Sequence, residues 1–524
     1  MEILLRLIVY LQSILRVIIK AFHPYVYSPK TGRIPLAKDE LLNCSATTLA
    51  KKIRSREVTS EQVVKAYIDR IRQVNPLLNA VVEDRFEAAL NDAKISDEKL
   101  RNKTVNPDEL EKEKPLFGVP ITVKESCSLK GHSLAVGSVV RRGIKAIEDG
   151  HMVETLKNAG AIPLCITNTP ELCTSFDSSN YITGRTVNPY DLSKCAGGSS
   201  GGEGALLGAG ASVIGVGSDI AGSIRIPALW NGVFGHKPTP GILSIRGHYP
   251  MSDNSLFMKY LVVGPLTRFA EDLRLSMKVL GQKSEKDLRL DEPLDAKKIK
   301  VFHFEEATTS FLGVALDPEL RNSITNAANH LSSRGCKIEK TKFGLMEDIC
   351  ELAVAMFFGI QEMPKLLMDP DNPKVEKSTL PELAKAIFGL SQYTKSAIYV
   401  KFMQETNCLI PQSNIKKYKE ETEVLRKKIL NMLGEDGVLL YPTYPYTAQA
   451  PFAVPLTNTG IVYCMLWNIF GFPSTNVPAG LSSKGLPLGF QVIAAPFQDR
   501  LCLTIAQELE DAFGGWTPPP SSTI

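Results

Sequence analysis

The chain has 524 residues, of which 44% are hydrophobic and 22% charged, with a formal net charge of +4. That length suits a large α/β enzyme or several smaller domains, and the charge is too small for the basic stripe of a nucleic-acid binder. The ten cysteines form no CxxC pair and the seven histidines no HExxH pair, which speaks against a zinc ribbon, a thioredoxin-like redox site or a metal centre. Reduced, mostly buried thiols inside the cell are the expectation.

Residues 3–22 read ILLRLIVYLQSILRVIIKAF. Arg6, Arg16 and Lys20 interrupt the apolar run and no small-residue cleavage site follows, so this is not a secretory signal. On a helical wheel the polar residues from Glu2 to His23 fall within an arc of about 120°, and the rest is Leu, Ile, Val and Phe. Such a helix can lie in a membrane interface, span the membrane with snorkelling cations, or pack on the protein's own core. We place a membrane-associated helix at 1–24, a linker at 25–40 and the body at 41–518. The linker rests on the Pro, Gly and Ser of HPYVYSPKTGRIP (23–35).

Residues 45–74 have apolar spacings of three and four, with a capping box at Thr59 and Gln62 and a stop at Asn75-Pro76. Residues 84–114 read as charged surface helix. From Pro115 the texture turns β-rich, with VPITVK (119–124), AIPLCITN (161–168) and SVIGVGSD (212–219) separated by helices near 150–159 and 203–209. VFHF (301–304), GVLLYPTYP (437–445) and LGFQVIAAP (488–496) are further strands, and 316–333 is an amphipathic helix. Alternation of this kind predicts an α/β fold, a layered sheet covered by helices, with a helical insertion at about 345–425.

The segment CAGGSSGGEGALLGAGASVIGVGSDIAGSIRIPA (195–228) is unusually rich in glycine. It lacks the GK[ST] ending of a P-loop and the last Gly or Ala of a dinucleotide fingerprint. A nucleophile site remains, in which glycines leave backbone N–H groups free to hold an oxyanion. A serine hydroxyl there needs a base. His236 is near in sequence, but GHKPT reads as a turn. Lys124, ending the apolar strand VPITVK, can serve if burial favours its neutral form; otherwise it is a strand-end lysine reaching solvent.

In combination and in this order, GVPITVKE, GGSSGGE and SDIAGSIRIP resemble the motifs of the amidase signature family of Ser-Ser-Lys hydrolases, from about residue 45 to 516. FGHKP, GEDGVLLYP and FGGW are similar to its fatty-acid amide hydrolase subgroup with an N-terminal membrane segment. The resemblance implies an α/β/α sandwich with a central mixed sheet. It implies Ser223 as nucleophile, Lys124 as base and Ser199, after a cis peptide bond, as the proton carrier between them. Ser200 would hydrogen-bond within the relay, Ile220, Ala221, Gly222 and Ser223 would supply oxyanion N–H groups, and Cys173 would line the substrate site. Asp219 and Arg225 read as a structural pair fixing the loop. No cofactor is required.

One position departs from the family pattern: residue 221 is Ala where Gly is usual, which would be strained if φ is positive there. The expected substrate is a long-chain fatty-acid amide such as an N-acylethanolamine, met at a membrane, and a homodimer stays open. ELAKAIFGLSQYTKSAIYVKFM (382–403) is either a core helix pair or the wall of an acyl-chain channel. The competing functions are a glutamine-hydrolysing amidotransferase subunit and a catalytically silent lipid-binding protein on the same scaffold.

Overall fold

A computed structural model describes residues 31–522 apart from 103–104, 283, 285–286, 305–314, 341–348, 361 and 407–411. The segment 1–24 expected to meet a membrane therefore lies outside the described residues. Among the described residues, no helix is long and apolar enough to cross a membrane.

Among the described residues, an eleven-stranded mixed sheet organises the fold. From one edge its strands are Lys337–Lys340, Lys300–His303, Gly437–Tyr441, Pro487–Ala494 and Ser474–Leu481. Phe234–Lys237, Val262–Thr267, Ile214–Asp219, Pro120–Lys124, Ile162–Thr167 and Val81–Asp84 complete it. Pro120–Lys124 pairs in parallel with both Ile162–Thr167 and Ile214–Asp219, and the pairings from Ile214–Asp219 through to Gly437–Tyr441 are antiparallel. The central strands are buried along their whole length, so they read as continuous apolar runs rather than alternating ones.

The helices expected from periodicity form, with adjusted ends. Ser60–Leu78 starts on the Thr59–Gln62 capping box but continues through Pro76, because Asn79 takes the left-handed cap (φ 54°) and Asn75 Oδ1 receives the N–H groups of Ala80 and Val81 at 2.7 and 3.0 Å. The side chain of Asn75 thus supplies the stop two to three residues later than the Pro signal suggested. GHKPT is also not a turn: Phe234–Lys237 is a strand paired with Ser474–Leu481 and Val262–Thr267. Within 25–40, Ile34 and Pro35 pair in parallel with Ser521 and Ser522. Between 345 and 425 the described chain forms helices Ile349–Phe358, Thr379–Ile387 and Lys395–Thr406 and the start of Ile415–Leu433.

Two large apolar clusters flank the sheet. One packs Ser60–Leu78, Ala270–Gly281 and Asp499–Phe513 on one face, and the other joins Val462–Phe470, Ile349–Phe358 and Ile415–Leu433. The nine described cysteines are free thiols, and seven are buried.

Candidate active site

The site forms where neighbouring strands end. Register pairs Thr122 with Gly215 and Val123 with Val216, so Lys124 falls one residue short of Ser218 on the neighbouring strand, within reach of its side chain. Lys124 is fully buried, and its Nζ lies 2.7 Å from Ser199 Oγ and 3.0 Å from Ser218 Oγ. The lysine side chain at the end of this strand therefore does not reach solvent. Ser199 follows a cis Gly198–Ser199 peptide bond just before helix Gly201–Gly208.

Ser223 sits in the loop between strand Ile214–Asp219 and helix Arg225–Trp230, is 6% exposed, and lines the same cavity as Ser199. The two serine segments are tied by Ser200 N–H donating to Ser223 O at 3.2 Å. No hydrogen bond joins the Ser199 and Ser223 hydroxyls here; such links are often loose until substrate is seated. Ser200 Oγ is buried and finds no partner among the described residues, so the side-chain contact expected of it is not formed.

The loop bearing Ser223 is held by Asp219. Its Oδ1 accepts from Gly222 N at 2.7 Å and its Oδ2 from Ile224 N at 3.1 Å, and both oxygens take Arg225 donors at 2.9 and 3.0 Å. Burial alone would raise the Asp219 carboxyl, yet the Arg225 guanidinium and these N–H groups hold it well below the usual carboxylate range. The N–H of Gly222, expected to face an oxyanion, is thereby committed. Ile220, Ala221 and Ser223 keep N–H groups without an acceptor among the described residues. Ala221 does not have positive φ, so its methyl adds no backbone strain. Gly222 does (φ 118°), and a Cβ there would stand 2.7 Å from Cys464 Cβ.

The cavity beside these serines has a volume of about 680 Å³, ample for a drug-sized or larger ligand. Phe176, Phe257, Leu261, Phe357, Val462 and Met465 make most of its wall apolar, while Ser199, Ser218, Ser223 and His248 gather at one place. Cys173, with φ 60°, also lines it, and Tyr399, Val400, Phe402 and Met403 bring helix Lys395–Thr406 onto the wall. His236 takes no part. It is buried on its strand with Nδ1 2.8 Å from Thr475 Oγ1 and Nε2 3.2 Å from Asp499 Oδ1.

Two neighbours of Lys124 were not expected from the sequence. Glu203 is buried behind it, hydrogen-bonded by Thr122 and Thr167, and burial pushes its carboxyl up to about 8. His248 is buried with Nε2 2.9 Å from Ser218 Oγ and Nδ1 3.1 Å from Pro250 O. Burial, and then Lys124, push its imidazole down to about 3. Ser218 lies inside the SDIAGS motif and could have been found there; a lone His in GHYP gives no signal.

The amidase family model matches residues 62–503. Fatty-acid amide hydrolase 2 of Homo sapiens is 43% identical over 502 residues, covering 94% of this chain and 93% of that protein. Fatty-acid amide hydrolase 2-A of Danio rerio is 40% identical over 523 residues, covering 98% and 97%. A solved structure of a fatty acid amide hydrolase has the same fold, with a TM-score of 0.70 at 23% identity over 91% of this chain and 86% of its own. The match runs through every segment that builds the site, from the strand of Lys124 to helix Val462–Phe470, and the chain belongs to the amidase family.

Proposed function

We propose that the protein hydrolyses long-chain fatty-acid amides, N-acylethanolamines among them, through an acyl-enzyme on Ser223 with Ser199 and Lys124 as proton relay. The observation that carries this reading is the buried 2.7 Å contact between Lys124 and Ser199 beside Ser223, at the polar place on an otherwise apolar cavity. Lys124 in its neutral form accepts the Ser199 proton, and Ser199 accepts that of Ser223. Ser223 Oγ attacks the amide carbonyl, and the free N–H groups of Ile220, Ala221 and Ser223 hold the developing oxyanion. The relay then returns the proton to the leaving amine, and water hydrolyses the ester. The relatives named fatty-acid amide hydrolase 2 support the substrate class.

We further place the enzyme on a membrane. Leu380, Ile387, Phe388 and Leu390, on helix Thr379–Ile387 and the turn after it, are 67–77% exposed. An apolar group of this kind fits a lipid surface. The neighbouring helix Lys395–Thr406 packs against helix Thr379–Ile387 and carries Tyr399, which is half exposed and lines the cavity. The amphipathic segment 1–24 would act with this apolar face.

A fluorophosphonate should label the wild type and not Ser223→Ala. Across acyl amides of graded length, each buried CH₂ should raise kcat/KM by about fourfold, from ~0.8 kcal/mol per CH₂, until the cavity is filled. A flat profile would remove the long-chain assignment. The double variant Ile387→Glu/Phe388→Glu should co-sediment less with vesicles than the wild type while still hydrolysing a soluble short-chain amide; undiminished binding would remove this face from the membrane.

A further inference from the structure

We propose that His248, acting through Ser218, is a positioning residue that turns the lone pair of Lys124 toward Ser199. The inference rests on the relay proposed above and adds a residue behind its base.

His248 Nδ1 lies 3.1 Å from Pro250 O, an atom that only accepts, so Nδ1 carries the imidazole proton. Nε2 of the neutral ring is then an acceptor, and Ser218 Oγ stands 2.9 Å from it. Ser218 has one proton and gives it to Nε2. Its oxygen must therefore accept from Lys124 Nζ, 3.0 Å away, and Ser126 Oγ at 3.3 Å can supply a second donor. A neutral amine has two N–H bonds and one lone pair in a roughly tetrahedral array. With one N–H fixed on Ser218, the lone pair can face Ser199 Oγ at 2.7 Å. Without His248, the Ser218 proton is free to turn onto that lone pair and compete with Ser199.

The backbone holds the ring where this requires it. Loop 245–250 lies on the chain that follows Lys124: Ser128 N donates to Gly247 O and Tyr249 N to Ser126 O, each at 2.9 Å, with a bridge between Cys127 and His248. Lys124, Ser126, Ser199, Ser218 and His248 are all buried, so water does not readily replace the imidazole.

In His248→Phe, kcat for a good amide substrate should fall by about tenfold to a hundredfold, with KM changing less than about threefold. The rate of fluorophosphonate labelling of Ser223 should fall in step. His248→Gln can donate to Pro250 O and accept from Ser218, and should recover kcat to within about threefold of wild type. The losses in His248→Phe and Ser218→Ala should be less than multiplicative when combined. A loss confined to KM, multiplicative losses, or His248→Gln as slow as His248→Phe would overturn the proposal. Should His248→Phe fail to fold, ¹⁵N spectra of histidine-labelled wild type decide: the resonance that disappears in His248→Gln must show the Nδ1–H tautomer, and an Nε2–H tautomer refutes it. Ser223→Ala, assayed in parallel, separates the two readings. If it stays active the relay itself falls; if it is dead while His248→Phe is unimpaired, only the role of His248 falls.

Discussion

Replacing Asp219 by Asn isolates the charge that holds the Ser223 loop. Besides Gly222 and Ile224, Asp219 Oδ1 accepts from Asn468 Nδ2 at 3.0 Å, so every approach to the carboxylate comes from a donor. An amide at this position must turn an NH₂ toward at least one of them. It also leaves the buried Arg225 guanidinium with only uncharged partners: Cys464 O at 3.1 Å, Gln491 Oε1 at 2.9 Å and Asn468 Oδ1 at 2.6 Å. Breaking one side of such a pair costs about 3–5 kcal/mol. Urea denaturation at neutral pH should show a loss of that size, and kcat should fall because the loop no longer holds Ser223. The folded carboxyl titrates well below its unfolded counterpart, so its stabilisation is complete at neutral pH and is lost as pH falls below about 4. Adding Arg225→Gln removes the orphaned charge, and the double variant should be less destabilised than the sum of the singles by about 1–3 kcal/mol. A loss under about 1 kcal/mol in Asp219→Asn, or strict additivity, would refute the claim that this ion pair fixes the loop.

Gly222→Ala should be nearly inactive and destabilised by about 2–4 kcal/mol, because its Cβ meets Cys464 Cβ at 2.7 Å and Ile226 Cδ1 at 2.9 Å in a positive-φ conformation. Normal activity and melting would show that the loop relaxes freely. Ala221→Gly should leave kcat equal or slightly higher, since φ there is ordinary and the N–H donor is kept. A steady-state loss beyond about tenfold would assign the methyl group a role. Glu203 titrates near 8 when folded, so the folded state binds its proton more tightly than the unfolded chain. Its contribution is complete below about pH 4.5 and declines as pH rises through 8, so Glu203→Gln should gain stability relative to wild type over that range, by a few kcal/mol. Parallel denaturation midpoints from pH 5 to 9 would contradict this.

VPITVK and SVIGVGSD were legible because their β-branched Val, Ile and Thr residues outweigh the Pro or Gly they contain. VVGPLT and STNVPAGL were not. Both carry Pro and Gly within strands, where sheet pairing with neighbours overrides the local signal for a turn. Phe234–Lys237 was misread for a related reason: a His-Lys-Pro sequence looks like a turn until Thr475 and Asp499, more than 230 residues away, supply partners for the His. Lys124, Ser199 and Ser223 could be singled out because their motifs are long and ordered. The commitment of the Gly222 N–H to Asp219 and the link from His248 to Lys124 depend on side-chain geometry that spacing does not report. Lys124 and Ser218 are 94 residues apart and meet only through strand register.

That register has a consequence for measuring the protein. Side chains alternate across a strand, so a slip of one residue between Pro120–Lys124 and Ile214–Asp219 would carry Lys124 to the opposite layer, away from Ser199. Misaligned molecules would then be catalytically void rather than slow. Stoichiometric titration of Ser223 with a covalent phosphonate would count correctly threaded copies one by one, and turnover divided by that count should be the same in every preparation, however much misfolded material accompanies it.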